Sequence, residues 1–116
     1  MPDAASASQL TVNIERTGDA VVVRCSGRLI AGINDSLYQQ VSPLIPGTKR
    51  MVLDLTGLTH MDSMGLGTIV RLYVSTKAAG CALELVNIGA KIRKLLDVTR
   101  LLSVFTVCGE NDIRIL

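Results

Sequence analysis

A single small α/β domain on a mixed, largely parallel sheet of about five strands is the fold class this sequence predicts. Three observations predict it. Runs rich in β-branched residues alternate with segments whose apolar residues recur at helical spacing. Compact apolar runs such as Met51–Leu55 suit strands buried on both faces. The opening β-rich stretch is interrupted by Thr17-Gly18-Asp19, the signature of a hairpin placed ahead of the alternation.

The elements follow in order. Val12 and Ile14 alternate with polar neighbours, and Ala20–Ser26 answers them as the second hairpin strand. Gly27 and Gly32 bracket a loop, after which Asn34 is placed to cap a helix through its side-chain oxygen. Leu37, Val41, Leu44 and Ile45 form the apolar stripe of that helix, and Pro46-Gly47 stops it. The buried strand Met51–Leu55 comes next, with a loop expected over Thr56–Met64. Leu66, Ile69, Val70, Tyr73 and Val74 mark a second helix that Gly80 ends. Ala82–Val86 reads as another buried strand, and Ile92, Leu95 and Leu96 as the inner face of a third helix. Val104–Val107 reads as a last strand and Asn111–Leu116 as a short terminal helix. Strands separated by helices imply right-handed crossovers and a parallel sheet. The domain is expected over residues 10–116, behind a flexible tail of residues 1–9.

Composition narrows the function. The chain has 116 residues, nearly half of them apolar, so it can bury a core without metal or disulfide. The formal net charge is only +2 and there is no Trp, which argues against a nucleic-acid reader. Lys91, Arg93, Lys94 and Arg100 read as the solvated face of a helix. Cys25, Cys81 and Cys108 have neither zinc spacing nor an even count, and read as reduced core residues of a cytoplasmic protein. Met1–Gln9 lacks a signal peptide's basic start and apolar run, and no apolar run approaches the roughly 20 residues of a membrane span.

One segment stands apart. Asp62-Ser63-Met64-Gly65-Leu66-Gly67 follows a buried strand and opens a helix, at the carboxyl end of the sheet where α/β proteins carry their sites. Asp62 or Ser63 can cap the helix. Glycine costs about 1 kcal/mol inside a helix, so two in one turn imply a close approach to the backbone. A helix N-terminus also favours an anion, and a phosphorylated Ser63 would be repelled by Asp62. His60 is the lone histidine; Met61 occupies the first glycine position of a nucleophile elbow, so His60 reads as an exposed or loop-packing residue. Asp54, inside an apolar strand, reads as structural. Arg71 and Lys77 lie off the apolar stripe, free to contact a partner.

The chain resembles the anti-sigma-factor antagonists of the STAS domain class, from about Leu10 to Leu116. The resemblance is carried by Gly27-Arg28-Leu29, Val52-Leu53-Asp54-Leu55, Asp62-Ser63-Met64-Gly65-Leu66-Gly67, Leu83-Glu84-Leu85-Val86-Asn87 and Leu95-Leu96-Asp97-Val98-Thr99. It implies partner switching without enzymatic activity. The unphosphorylated antagonist binds an anti-sigma factor that is also a serine/threonine kinase, and so releases sigma factor. The kinase phosphorylates the antagonist serine, and a PP2C-type phosphatase resets it. By position the phosphoacceptor is Ser63, and partner contacts fall to Asp62, Met64, Gly65, Gly67, Arg28 and Ile30. ATP and magnesium belong to the kinase, so no cofactor or metal is implied for this chain.

Two segments depart from the family pattern. Gly27-Arg28-Leu29-Ile30 stands where many members have Gly-Glu-Leu-Asp, and Met64 stands where a small residue is commoner. These differences motivate a second reading, a non-phosphorylated scaffold or lipid-transport accessory module. A third, a hydrolase using Ser63, needs a base beside that serine.

Overall fold

A computed structural model describes residues 10–100, 106–108 and 114–115. Strands β1 (Leu10–Thr17) and β2 (Ala20–Leu29) form the expected hairpin. Its two-residue connection turns on Gly18, at φ 63°, a region glycine enters without steric cost. Helix α1 (Asn34–Val41) runs into a 3₁₀ turn, Ser42–Leu44, and then strand β3 (Arg50–Met61). Helix α2 (Ser63–Ala78), strand β4 (Ala82–Val86), helix α3 (Gly89–Val98) and strands β5 (Thr106–Cys108) and β6 (Arg114–Ile115) follow.

The sheet runs β1-β2-β3-β4-β5-β6, with β2 to β5 parallel and an antiparallel strand at each edge. Successive right-handed crossovers advancing in one direction lay the helices on one face. Register aligns Val21 with Met51 and Leu83, and Val23 with Leu53 and Leu85. These residues are buried, and they form one core with Leu37 and Val41 of α1, Leu66, Ile69 and Leu72 of α2, and Leu96 of α3. The other face carries Arg24 and Asp54, and the ion pair of Arg50 with Glu84.

Several expectations are corrected. Met51–Leu55 is not buried on both faces: Val52 and Asp54 are only half-buried, because the helices cover one side. Thr56–Met61 is not a loop. It prolongs β3, because the long β2 supplies backbone partners through Leu29↔Met61, with irregularities at Arg24/Ser26 and Gly27/Arg28. Gly57 permits this pairing, since a Cβ there would lie on the Ser26 hydroxyl.

Asn34 is not a cap. It sits within the first turn of α1, buried, and its amide donates to Thr68 Oγ1 at 3.0 Å, tying α1 to α2. Val74 is 59% exposed rather than part of the inner stripe of α2. Gly80, at φ 74°, does follow the end of α2. Of the expected strand Val104–Val107, Thr106 and Val107 are seen in β5, while 104–105 lie outside the described residues. Arg114–Ile115 is strand where a terminal helix was expected; so short a helix nucleates poorly, whereas the edge of β5 offers backbone partners. The tail, residues 1–9, also lies outside the described residues. Among the described residues no helix is long and apolar enough to cross a membrane.

Candidate functional site

Ser63 is the first residue of α2, exposed at the top of the sheet where β3 hands over to the helix. Asp62 is extended, at φ −110° and ψ −173°, and it supplies the cap that the sequence left open between Asp62 and Ser63. Its Oδ1 accepts from the Gly65 N–H at 2.9 Å, and its carbonyl accepts the first helical bond, from Leu66. Its Oδ2 accepts from the Ala31 N–H, also at 2.9 Å. One carboxylate therefore staples the start of α2 to the loop leaving β2. Among the described residues the Ser63 hydroxyl has no hydrogen-bond partner, and the residue is exposed.

The two N–H groups, Ala31 first and Gly65 second, hold the Asp62 carboxyl below the usual aspartate range. The folded pKa lies under the unfolded one. This contribution is thus complete at neutral pH and is lost as pH falls through the folded value. The Ala31 and Gly65 amide proton shifts are expected to titrate together below the ordinary aspartate pKa, and not at all in Asp62→Ala. Separate midpoints in an NMR pH titration would break the link between the two anchors.

The remaining candidate residues divide. Met64 is 53% exposed beside Ser63. Gly67 faces open space, with no atom within 4 Å of an added Cβ. Gly65 is buried, and the close approach it allows is internal: an added Cβ would meet the Leu29 carbonyl oxygen. That carbonyl also accepts from the Asp62 N–H at 3.4 Å. Arg28 pairs in register with His60 on the β2–β3 ribbon and is half-buried. Ile30, half-buried, lines a groove that reaches Asp62.

His60 is exposed, and its Nδ1 pairs with Thr59 Oγ1 at 2.9 Å. No hydrogen bond joins it to Ser63 among the described residues. Asp54 takes the structural role: it accepts from the Thr56 N–H, and Thr56 Oγ1 in turn accepts from Asn87. Arg71 and Lys77 are exposed but engaged locally, Arg71 with Asp35 and the Tyr38 ring, Lys77 over Tyr73. Cys25 and Cys81 are buried free thiols. Burial, reinforced by the charge of Asp54, pushes the Cys25 thiol up to about 12, which makes it unreactive. Among the described residues no group of three His, Cys, Asp or Glu is placed to hold a metal.

The contribution of Ala31 was not legible in the sequence. It acts through its backbone N–H, which every residue but proline carries, so no side-chain signal marks it.

Residues 11–111 match the profile of the STAS domain. The chain is 27% identical over 109 residues to the anti-sigma F factor antagonist of Paenibacillus polymyxa, covering 92% of each. It is 22% identical over 103 residues to the anti-sigma-B factor antagonist of Bacillus subtilis (strain 168), covering 89% of this chain and 94% of that one. The crystal structure of an anti-sigma factor antagonist from Mycobacterium paratuberculosis shares the fold, with a TM-score of 0.76 at 21% identity over 86% of each chain. Profile, relatives and fold agree, and the chain belongs to the STAS domain family.

Proposed function

We propose that this protein is an anti-sigma-factor antagonist switched by phosphorylation of Ser63. One observation carries the reading most: an exposed serine hydroxyl at the start of a helix whose cap is another residue. A cap role would turn the Ser63 oxygen back onto the helix N–H groups. Here Asp62 fills that role, so the serine oxygen is available to a kinase. The names of the sequence relatives supply the partner class, an anti-sigma factor. Its serine/threonine kinase activity and the PP2C-type phosphatase follow from the family resemblance.

In this reading the unphosphorylated protein packs Ser63, Asp62, Met64 and Gly67 against the partner, with Arg28 and Ile30 at the margin. Gly65 serves the site indirectly, by seating α2 on β2. A phosphate would add about −1.5 to −2 charges to a surface already carrying the Asp62 carboxylate. Desolvating both negative groups under a packed partner is unfavourable, and the complex weakens. The chain supplies the acceptor oxygen only; nucleotide and magnesium are the kinase's.

The test uses the kinase that co-purifies with the protein from its native cell. With ATP, wild type should gain one phosphate by intact mass and Ser63→Ala none. Ser63→Asp should weaken kinase binding at least about tenfold, or roughly 1.4 kcal/mol. Labelling that persists in Ser63→Ala would move the acceptor elsewhere. Stable co-purification with a transporter ATPase and no phosphate in cells would favour the scaffold reading that Arg28, Ile30 and Met64 suggest.

A further inference from the structure

We propose that the groove between the far end of β3 and helix α3 takes an extended, acidic peptide segment of a protein partner, which adds to β3 as a strand. The first observation is an unequal pairing. On one side β3 is paired with β2 as far as Met61. On the other side its register with β4 runs only from Arg50 to Asp54. Among the described residues no strand pairs with that second side of Thr56–Met61. In a strand paired on one side, alternate residues turn both N–H and C=O to the free side. Asn87, bonded through its side chain to Thr56 Oγ1, marks where the free stretch begins.

The second observation is what faces this stretch. A groove of about 860 Å³ separates it from α3. Leu58 and Met61 form one wall, and Ile92, Leu95 and Val98 form the other. Val98, the last residue of α3, is 70% exposed and lines the groove. The free stretch spans about 20 Å at strand rise, room for a short extended segment.

The chemistry of the walls selects the occupant. A lipid tail would satisfy the side chains of α3 but would strip water from the β3 backbone groups and leave them unpaired. A buried backbone group without a partner costs about as much as a lost hydrogen bond. A strand brings its own N–H and C=O, and alternate side chains for the apolar wall. Charge sets its flanks. Lys94 lines the groove, and Arg93 is exposed on the same helix. The one acid in the lining, Asp62, has both oxygens turned to the Ala31 and Gly65 N–H groups.

The probe is a displayed library of random peptides selected on the full chain. Enriched peptides should alternate apolar and acidic residues, and should shift the amide resonances of Leu58–Met61 and Ile92–Val98. Methylating alternate backbone nitrogens of an enriched peptide should cost it roughly tenfold or more in affinity, since each removes a strand bond. Lys94→Glu, an exposed change that spares the core, should weaken the acidic peptide by roughly tenfold and recover a peptide with lysines in place of its acids. No enrichment, enrichment mapping elsewhere, or indifference to backbone methylation overturns the proposal. So does decanoate occupying the groove while every peptide fails.

Discussion

Gly65→Ala is expected to destabilise the domain by roughly 3 kcal/mol, while Gly67→Ala, two residues away, stabilises it by about 0.5–1 kcal/mol. An added Cβ at Gly65 would collide with the Leu29 carbonyl oxygen and stand 2.9 Å from its carbon. Both are backbone atoms of a fully buried residue at the end of β2. Nothing there can rotate away. Relief requires α2 to lift off β2, and lifting it breaks the bonds that Asp62 makes to Ala31 and Gly65. At Gly67 no atom lies within 4 Å of the new methyl, and the backbone is helical. Alanine there simply restricts the unfolded chain and favours the helix. Urea denaturation with an unchanged m-value measures both effects. Equal and small shifts at the two positions would mean that α2 is not seated on the Leu29 carbonyl.

This pair shows where sequence reading stops. Two glycines in one turn signal a close approach, but not which of them is approached or by what. Sequence left two cap candidates, and only backbone geometry assigns the role to Asp62 and leaves Ser63 exposed. The order of elements was legible because it rests on local periodicity: strands where β-branched residues cluster, helices where apolar residues recur three and four apart. What escaped depends on distant partners. Thr56–Met61 contains Thr, Gly and His and reads as loop; it is strand because β2 runs beside it. Asn34 has the chemistry of a cap, yet its amide partner is Thr68, 34 residues away. The terminal Arg114–Ile115 pair takes its conformation from β5, not from its own propensity. The phosphoacceptor reading rests on a motif, which is local, and so it was available from the sequence. The groove beside α3 exists because β3 outruns β4, a fact of register that no local pattern carries.

Arg50→Ala should cost about 3 kcal/mol, and replacing Arg50 and Glu84 together by Met and Leu should cost far less. The Glu84 side chain is only 6% exposed on the helix-free face of the sheet. Arg50 grips it with two bonds, Nε to Oε2 at 3.0 Å and Nη2 to Oε1 at 2.8 Å. A forked guanidinium on a carboxylate is the strongest arrangement available to such a pair. Removing the arginine takes these two bonds from a carboxylate shielded from water by its neighbours, and the desolvation they no longer offset is the source of the loss. Removing both charges removes the desolvation cost of the pair itself, and apolar side chains of similar size can pack in their place. Arg50 is half-exposed, so water reaches one side of the pair and holds the loss near the lower end of the range for buried pairs. A double-mutant cycle by chemical denaturation isolates the coupling. A double mutant as unstable as Arg50→Ala alone would show that the residues contribute through packing rather than charge. The pair ties the first residue of β3 to the middle of β4, the two strands whose unequal lengths open the groove. Its loss should therefore loosen Asn87 from Thr56 before it disturbs the hairpin, and amide exchange at Val86 and Asn87 should rise ahead of exchange at Val21 and Val23.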